Sequence, residues 1–156
     1  MINSIFITGA GVSNDSGIPT FRGNDGFWTI GSVNYTPQEM ATRKMYCENP
    51  SECLLWYYKR FASYRHVQPK QTHFWLSDKN LITQNIDGLH QLAGTSPENV
   101  IEFHGSVREV VCLTCSYRAP MADVLVRLKA GERDPDCRSC GGLLQSAPIS
   151  FGQSLV

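Results

Sequence analysis

The sequence predicts an α/β domain with a partial parallel sheet and two insertions, a helical pair and a zinc-ribbon module. Two observations carry this prediction. Short apolar segments rich in β-branched residues alternate with helical patterns, and two Cys-x-x-Cys pairs stand late in the chain. We therefore divide the chain into a core that contains the parallel sheet (1–35, 65–107 and 146–156), a helical insertion (36–64) and a zinc-binding module (108–145).

Four short apolar segments are predicted to be strands of the sheet. They cover residues 4–8, 81–83, 100–103 and 147–151. The first runs directly into glycine, as a buried parallel strand does where it enters a ligand-binding loop. Asp87 is placed to cap a helix over 88–93, and Gly94 is expected to end that helix.

Helix signals mark the two insertions. Residues 36–39 read Thr-Pro-Gln-Glu, a capping box with proline at the first helical position. Helices are predicted over 37–47 and 50–64, and the second has an aromatic face. A further helix is expected over 121–130 in the zinc-binding module, closed by Gly131. The aromatic face consists of Leu54, Tyr57, Tyr58 and Phe61.

The composition limits the classes of partner. The 156 residues suit one domain with a real core, and 14 Lys and Arg balance 14 Asp and Glu. Balanced charge gives no long-range field for nucleic acid or an anionic membrane, so neither is expected as a partner. No apolar run approaches membrane-spanning length, and no signal peptide is recognisable. We expect a reducing, cytoplasmic location; the sequence indicates no oligomeric state.

The paired cysteines predict a metal site. Two Cys-x-x-Cys pairs separated by 21 residues supply the four thiolates that a tetrahedral Zn²⁺ ion needs. Two disulfides, or unrelated buried cysteines, are the alternatives, and the reducing location disfavours the first. Such a closed site would hold the fold together without taking part in a reaction. The predicted ligands are Cys112, Cys115, Cys137 and Cys140, whereas Cys47 and Cys53 are expected to be ordinary buried residues on helices.

Glycines after the first predicted strand indicate a nucleotide-binding loop. Residues 9–13 read Gly-Ala-Gly-Val-Ser, and glycines there let backbone N–H groups approach a pyrophosphate, as in Rossmann-like folds. A plain tight turn explains the glycines alone equally well. The continuation is more specific, because Arg22 would place a cation near the phosphates and Phe21 an aromatic face beside a ribose.

Polar residues follow the second and third predicted strands. Gln84, Asn85 and Asp87 are poor core material, but they suit ligand contacts at the carboxyl end of a parallel strand. The alternative is a capped loop in which Asp87 only starts a helix. His104 ends the third strand in the same way, and a general-base role is favoured at that place. For His66, His73 and His90 a structural role is expected.

Together, these motifs resemble the Sir2 (sirtuin) family of NAD-dependent protein-lysine deacylases. The resemblance rests on the glycine loop with residues 17–23, on residues 83–90, on Phe103-His104-Gly105 and on the paired cysteines, in that order. Residues 147–155 resemble the family's next strand and loop. The resemblance covers the first two-thirds of the family's core, so we expect the chain to be truncated at its C-terminus.

The resemblance implies a reaction and the residues that carry it. The acyl group of an acyl-lysine in a protein or peptide would be transferred to NAD⁺, giving lysine, nicotinamide and O-acyl-ADP-ribose. His104 matches the general base that activates a ribose hydroxyl, and Asn85 matches the residue that orients ribose and water. NAD⁺ contacts are implied for Gly9, Ala10, Gly11, Ser13, Phe21, Arg22, Gln84, Asn85, Ile86, Asp87 and His104.

The acyl preference and the activity of this chain have alternatives. Tyr57 and Arg60 are spaced i, i+3 on one predicted helix and resemble the Tyr-x-x-Arg pair of sirtuins that accept acidic acyl groups such as succinyl. An aromatic core face with a solvated arginine is the simpler explanation. The pattern also allows two other classes of function. One is an inactive zinc-stabilised fragment or binding module, and the other is an NAD hydrolase or ADP-ribosyltransferase.

Overall fold

Three parallel strands form the central sheet. The computed structural model describes residues 4–62, 64, 66–133 and 135–155. Strands β1 (Ile5–Thr8), β2 (Asn80–Thr83) and β3 (Val100–Glu102) lie in the order β1–β2–β3, with both neighbouring pairs parallel. The predicted fold class, an α/β domain with a parallel sheet, is therefore confirmed.

Short helices connect the strands of the sheet. Helix α1 (Gly11–Asn14) follows β1, α5 (Gln71–Leu76) precedes β2, and α6 (Leu89–Leu92) lies between β2 and β3. The N-cap of α6 is Gly88 and not Asp87 as predicted, because Gly88 is left-handed and the helix begins one residue later. The Asp87 carboxylate still accepts the N–H of Leu89, the first helical residue, at 2.9 Å. Gly88 has φ +75°, and a Cβ there would lie 2.4 Å from the Arg108 side chain. Only glycine fits both constraints.

The two faces of the sheet differ in cover. On one face, Leu81 is buried and the Phe6 ring meets Trp75 of α5 edge-on, with 5.6 Å between centroids. On the other face, Ile7, Ile82 and Ile101 lie side by side in register. Ile7 is 73% exposed and Ile101 is 59% exposed. Parallel sheets are normally covered on both faces, so this apolar row is unusual.

In its described residues, the helical insertion has three helices instead of the predicted two. They are α2 (Pro37–Met40), α3 (Arg43–Glu48) and α4 (Pro50–Ala62). The capping box forms as predicted, since Glu39 accepts the Thr36 N–H at 2.8 Å. The predicted helix over 37–47 is interrupted because Thr42 is itself a cap and accepts the N–H of Met45. The insertion's own apolar core comprises Met40, Ala41, Met45, Tyr46, Cys53, Leu54, Trp56 and Tyr57.

The zinc-binding module has a separate antiparallel sheet. Strand β4 (Glu109–Cys112) lies between β5 (Arg118–Pro120) and β6 (Leu144–Ser146), and helix α7 (Met121–Lys129) packs against the sheet. Gly131, at φ +94°, follows the helix as predicted. The module's buried cluster includes two of the four paired cysteines, so the metal site belongs to its core. This cluster is Val110, Cys112, Val124, Cys137 and Leu144.

Two sequence-based predictions are wrong in detail. Residues 147–151 form no strand of the parallel sheet; β6 lies earlier and pairs with β4, and only Phe151 makes a single bridge, to Thr42. Pro148 has no N–H for a sheet, which disfavours a strand there. Cys47 is exposed instead of buried. Cys53 is buried as expected, and its burial raises the pKa of the thiol to about 12.

Two further predictions concern the division of the chain and membrane-spanning segments. The division of the chain at residues 36, 65, 108 and 146 stays a prediction. Among the residues that the structure describes, none of the helices combines the length and the apolar character needed to cross a membrane.

Candidate active site and metal centre

The carboxyl ends of the three parallel strands are joined by backbone hydrogen bonds. The N–H of Gln84 donates to the Thr8 carbonyl at 3.0 Å, and the N–H of Phe103 donates to the Thr83 carbonyl at 2.8 Å. The loops that follow β1, β2 and β3 therefore leave the sheet side by side. This edge is where ligands bind in open α/β sheets, and it carries most of the predicted site residues.

The glycine loop leaves open space above its backbone. A Cβ placed on Gly9 or Gly11 would meet no heavy atom within 4 Å, and neither glycine has a positive φ. Local packing and backbone strain therefore do not explain these glycines. The open space would allow a ligand to approach the backbone closely, as the sequence predicts, and Ala10 between them is half-buried.

Ser13 joins the glycine loop to the loop after β2. It is 1% exposed and donates its hydroxyl proton to Asp87 Oδ2 at 2.7 Å. The side-chain amide of Asn85 donates to Ser13 Oγ at 3.0 Å. Three residues predicted from two separate motifs are thus brought into one hydrogen-bonded cluster.

Two buried histidines lie behind this cluster. His73 Nε2 is 3.5 Å from Ser13 Oγ, and His90 Nε2 is 3.0 Å from Thr8 Oγ1. Burial lowers the pKa of both rings, and the proximity of His73 lowers that of His90 further. The expectation of a purely structural role missed their contact with the site. No local signal could have shown it, because 60 residues separate Ser13 from His73.

His104 is held at the end of β3 in one ring orientation. Its Nδ1 atom lies 3.1 Å from the carbonyl oxygen of Gln84, and its own carbonyl accepts the N–H of Ile149 at 2.9 Å. A carbonyl can only accept a hydrogen bond, so Nδ1 carries the proton and Nε2 is the basic nitrogen. Next to this residue, the Ile86 carbonyl accepts the N–H of Val107 at 3.0 Å, which holds the second loop beside the third.

Phe21 and Arg22 belong to an aromatic cluster on the segment after the glycine loop. The Phe21 ring lies 5.5 Å from Phe27 and 5.3 Å from Trp28, and Trp28 in turn contacts Phe151 at 5.0 Å. The Arg22 guanidinium is 5.5 Å from the centre of the Phe21 ring and is exposed. Cation–π contacts thus hold Arg22 over the aromatic rings of this cluster.

Tyr57 and Arg60 lie in different surroundings. Tyr57 is 3% exposed among the rings of Trp56, Phe27 and Tyr46, and burial raises its pKa well above the usual value. Arg60 lines a cavity of about 450 Å³ and donates to the Asp25 carbonyl at 2.9 Å. The same cavity is lined by Asn14, Gly17, Pro19, Asp25, Ile30 and Tyr64.

The four paired cysteines fit a tetrahedral metal ion. Their sulfur atoms all lie within 4.8 Å of one another; Cys112 and Cys140 are 3.6 Å apart, and Cys115 and Cys137 are 3.8 Å apart. Sulfurs bound to one Zn²⁺ at about 2.3 Å should be separated by roughly 3.8 Å. Disulfide sulfurs are separated by only about 2 Å, so the alternative of two disulfides does not fit.

The backbone around Cys112 favours the thiolate form that binds zinc. The N–H groups of Cys115 and Thr114 point at the Cys112 sulfur at 3.5 and 3.4 Å, and they lower the pKa of that thiol. A Cβ on Gly142 would lie 2.4 Å from Thr114 Oγ1 and 3.0 Å from the Cys112 sulfur. Glycine is therefore required where the two cysteine loops meet.

Comparison with known proteins identifies the family. The model of the Sir2 family matches residues 9–156. The chain belongs to the Sir2 family. It is 41% identical to NAD-dependent protein deacetylase 2 of Streptomyces coelicolor, over 96% of this chain and 64% of the relative. It is also 37% identical to the NAD-dependent protein deacylase of Aquifex aeolicus, over 99% of this chain and 63% of the relative.

Solved Sir2 structures share the fold. A structure described as "The Structural basis of Sirtuin Substrate Affinity" aligns with a TM-score of 0.82 at 31% identity, over 97% of this chain and 62% of that one. A Sir2 homologue in complex with NAD aligns with a TM-score of 0.75 at 36% identity, over 97% and 59% respectively. The chain thus spans about three-fifths of the length of these relatives.

Proposed function

We propose that this Sir2-family chain takes part in NAD⁺-dependent removal of acyl groups from protein lysine, giving nicotinamide and O-acyl-ADP-ribose. The observation that carries the proposal is the state of His104. Its Nδ1–H is committed to the Gln84 carbonyl at 3.1 Å, which leaves Nε2 free as a base at the edge where a nucleotide would bind. Relatives named as NAD-dependent deacylases support the same conclusion.

The other polar residues of the edge have roles that their contacts favour. His104 would take a proton from a ribose hydroxyl of bound NAD⁺, and Asn85 would orient that ribose and a water molecule. Asn85 is 8% exposed and is held by Ser13, so its side chain loses little entropy when the ligand binds. Asp87, also held by Ser13, would accept hydrogen bonds from the carboxamide of the nicotinamide group.

A structural zinc ion is proposed for the four cysteines of the module. The sulfur separations fit one tetrahedral Zn²⁺ bound by Cys112, Cys115, Cys137 and Cys140. Four protein ligands leave no open position for a substrate. The ion would therefore hold the two cysteine loops of the module together and would not react.

The acyl group is proposed to enter the cavity that Arg60 lines. The Arg60 guanidinium attracts a carboxylate, so acidic acyl groups such as succinyl are favoured over acetyl. Tyr57 is 3% exposed and packs against Phe27. Its proposed role is therefore to support Arg60 and not to contact the ligand. A peptide substrate is supported by a related structure that holds a p53 peptide and NAD⁺.

The test is product analysis with acyl-lysine peptides and NAD⁺. We expect nicotinamide, O-acyl-ADP-ribose and free lysine in equal amounts, measured by mass spectrometry. Free ADP-ribose without peptide turnover would indicate an NAD hydrolase instead. ADP-ribose attached to protein would indicate an ADP-ribosyltransferase, and no product with retained peptide binding would indicate a binding module.

A further inference from the structure

Two buried histidines contact the proposed site without a role in the proposed chemistry. His73 is fully buried, His90 is 1% exposed, and their ring centroids are 5.1 Å apart. Burying an imidazole costs free energy unless its polar atoms are paired. The partners of His73 indicate what this ring does.

The hydrogen bonds of His73 fix its tautomer. The backbone N–H of Lys70 donates to Nδ1 at 3.2 Å, so the lone pair of Nδ1 is occupied. The neutral ring must then carry its proton on Nε2. Nε2 lies 3.5 Å from Ser13 Oγ, and its N–H is therefore a donor toward the serine. Burial lowers the pKa of His73, which favours this neutral form.

Ser13 has every bonding position of its hydroxyl in use. A hydroxyl has one proton and two lone pairs. The proton goes to Asp87 Oδ2 at 2.7 Å, one lone pair accepts from Asn85 Nδ2 at 3.0 Å, and the other faces His73 Nε2–H. If the serine hydroxyl rotated toward His73, it would lose its hydrogen bond to Asp87. Its proton would then face the imidazole N–H, and two donors would repel each other.

We propose that His73 is a positioning residue, whose Nε2–H commits the Ser13 proton to Asp87 and thereby fixes the orientation of the Asn85 carboxamide. This inference rests on the proposed function, in which Asn85 and Asp87 contact NAD⁺. With Asn85 Nδ2 directed at Ser13, its carbonyl oxygen is directed away from the serine. His73 touches neither substrate; it acts through Ser13.

His90 packs against the His73 ring. The His90 ring lies 5.1 Å from that of His73, and His90 Nε2 is bonded to Thr8 Oγ1 at the end of β1. Thr8 is the residue before the glycine loop. The pair of rings thus connects Thr8 at the end of the strand with Ser13 at the end of the glycine loop, and each ring makes a buried hydrogen bond.

Two amide substitutions separate the hydrogen bonds of His73. In His73→Gln, the side-chain amide reaches the place of Nε2 and can still donate to Ser13. In His73→Asn, the shorter amide replaces Nδ1 and leaves Ser13 without its donor. We expect His73→Asn to lower kcat/KM for NAD⁺ about tenfold, the scale of one buried hydrogen bond, with the KM for peptide unchanged. His73→Gln should recover most of the loss.

A double-mutant cycle tests whether the effect passes through Ser13. If His73 acts through Ser13, then His73→Asn has no further effect on kcat/KM in a Ser13→Ala background. Additive effects of the two substitutions, or equal losses in His73→Asn and His73→Gln, would overturn the proposal. If the protein transfers no acyl group, the proposed function fails, and the same cycle is measured on the dissociation constant for NAD⁺.

The tautomer is tested without any ligand. Long-range ¹H–¹⁵N correlation spectra of the folded wild-type chain distinguish a ring protonated on Nε2 from one protonated on Nδ1. The proposal requires the Nε2–H tautomer of His73. The Nδ1–H tautomer would overturn it even if both amide variants failed to fold.

Discussion

The Nδ1 atom of His104 lies 3.1 Å from the carbonyl oxygen of Gln84, the residue directly before Asn85. This contact joins the end of β3 to the loop after β2 and determines which nitrogen of the neutral ring carries the proton. One hydrogen bond thus links the proposed base to the residue before the proposed ribose-orienting residue. Neither partner needs a charge to form it.

The first prediction concerns the proposed base. His104→Ala should lower turnover of an acyl-lysine peptide about 10²-fold or more, the scale of general-base loss. The dissociation constant for NAD⁺, measured by calorimetry, should change far less. His66→Gln, which alters a histidine away from the strand ends, is the matched control. Unchanged turnover in His104→Ala would remove this residue from the reaction.

The second prediction concerns the metal. Purified protein should contain about one zinc per chain, and the double substitution Cys137→Ser and Cys140→Ser should abolish it. Because Cys112 and Cys137 lie in the buried cluster of the module, a chelator should also melt β4 to β6, seen as lost circular dichroism and amide protection. Cys47→Ser, at an exposed cysteine, should change neither quantity.

The parts of the fold that local sequence specifies were predicted from it. The capping box of Thr36 and Glu39 and the spacing within each Cys-x-x-Cys pair both depend on residues a few positions apart. The wrong strand at 147–151 shows the limit of apolar pattern. Leu144–Ser146 reads no more strongly as a strand, and it becomes one because β4 lies beside it. That pairing depends on tertiary structure.

The site was predicted in part, for the same physical reason. Its polar residues could be identified at strand ends, because carboxyl ends of parallel strands bind ligands. The contacts of Ser13 with His73 and Asp87 join residues 60 and 74 positions apart, and no short pattern encodes them. The burial of Tyr57 agrees with the aromatic core face that the sequence also allowed. The Tyr-x-x-Arg spacing alone could not decide between the two, because an aromatic at i, i+3 from an arginine suits a core as well as a ligand.

The third prediction concerns the acyl group. Arg60→Met should lower kcat/KM for a succinyl-lysine peptide about tenfold or more and leave acetyl-lysine nearly unchanged, since a charge-assisted contact is lost. Lys59→Met removes the same charge from the neighbouring exposed position and should leave the ratio of the two substrates alone. An acetyl preference that Arg60→Met does not alter would contradict the proposal for this cavity.

The fourth prediction concerns pH. Burial lowers the pKa of His73 and His90 below their unfolded values near 6.5, so the unfolded chain binds more protons at mildly acidic pH. The contribution of these two histidines to the free energy of unfolding should therefore be constant above about pH 7. It should decrease as the pH drops below 6.5. Each histidine contributes a slope of up to about 1.4 kcal/mol per pH unit.

Chemical denaturation between pH 5 and 8 measures this slope. Zinc thiolates also bind protons in acid, so the informative quantity is the difference between variants. His90→Gln removes one of the two buried rings and should flatten the profile, whereas His66→Gln should leave it unchanged. Equal slopes in wild type and His90→Gln would show that the buried pair does not govern acid stability.

The last prediction concerns the apolar row of Ile7, Ile82 and Ile101 on the sheet. A contiguous exposed apolar surface promotes association, and the exposed fractions of 73% for Ile7 and 59% for Ile101 make it accessible. The double substitution Ile7→Thr and Ile101→Thr keeps β-branched side chains in both strands, so the sheet should persist. We expect less self-association in light scattering and a similar melting temperature. As a control, Val126→Thr at an exposed position on α7 should leave association as in wild type. A double variant that associates as strongly as wild type would show that this face of the sheet is not responsible.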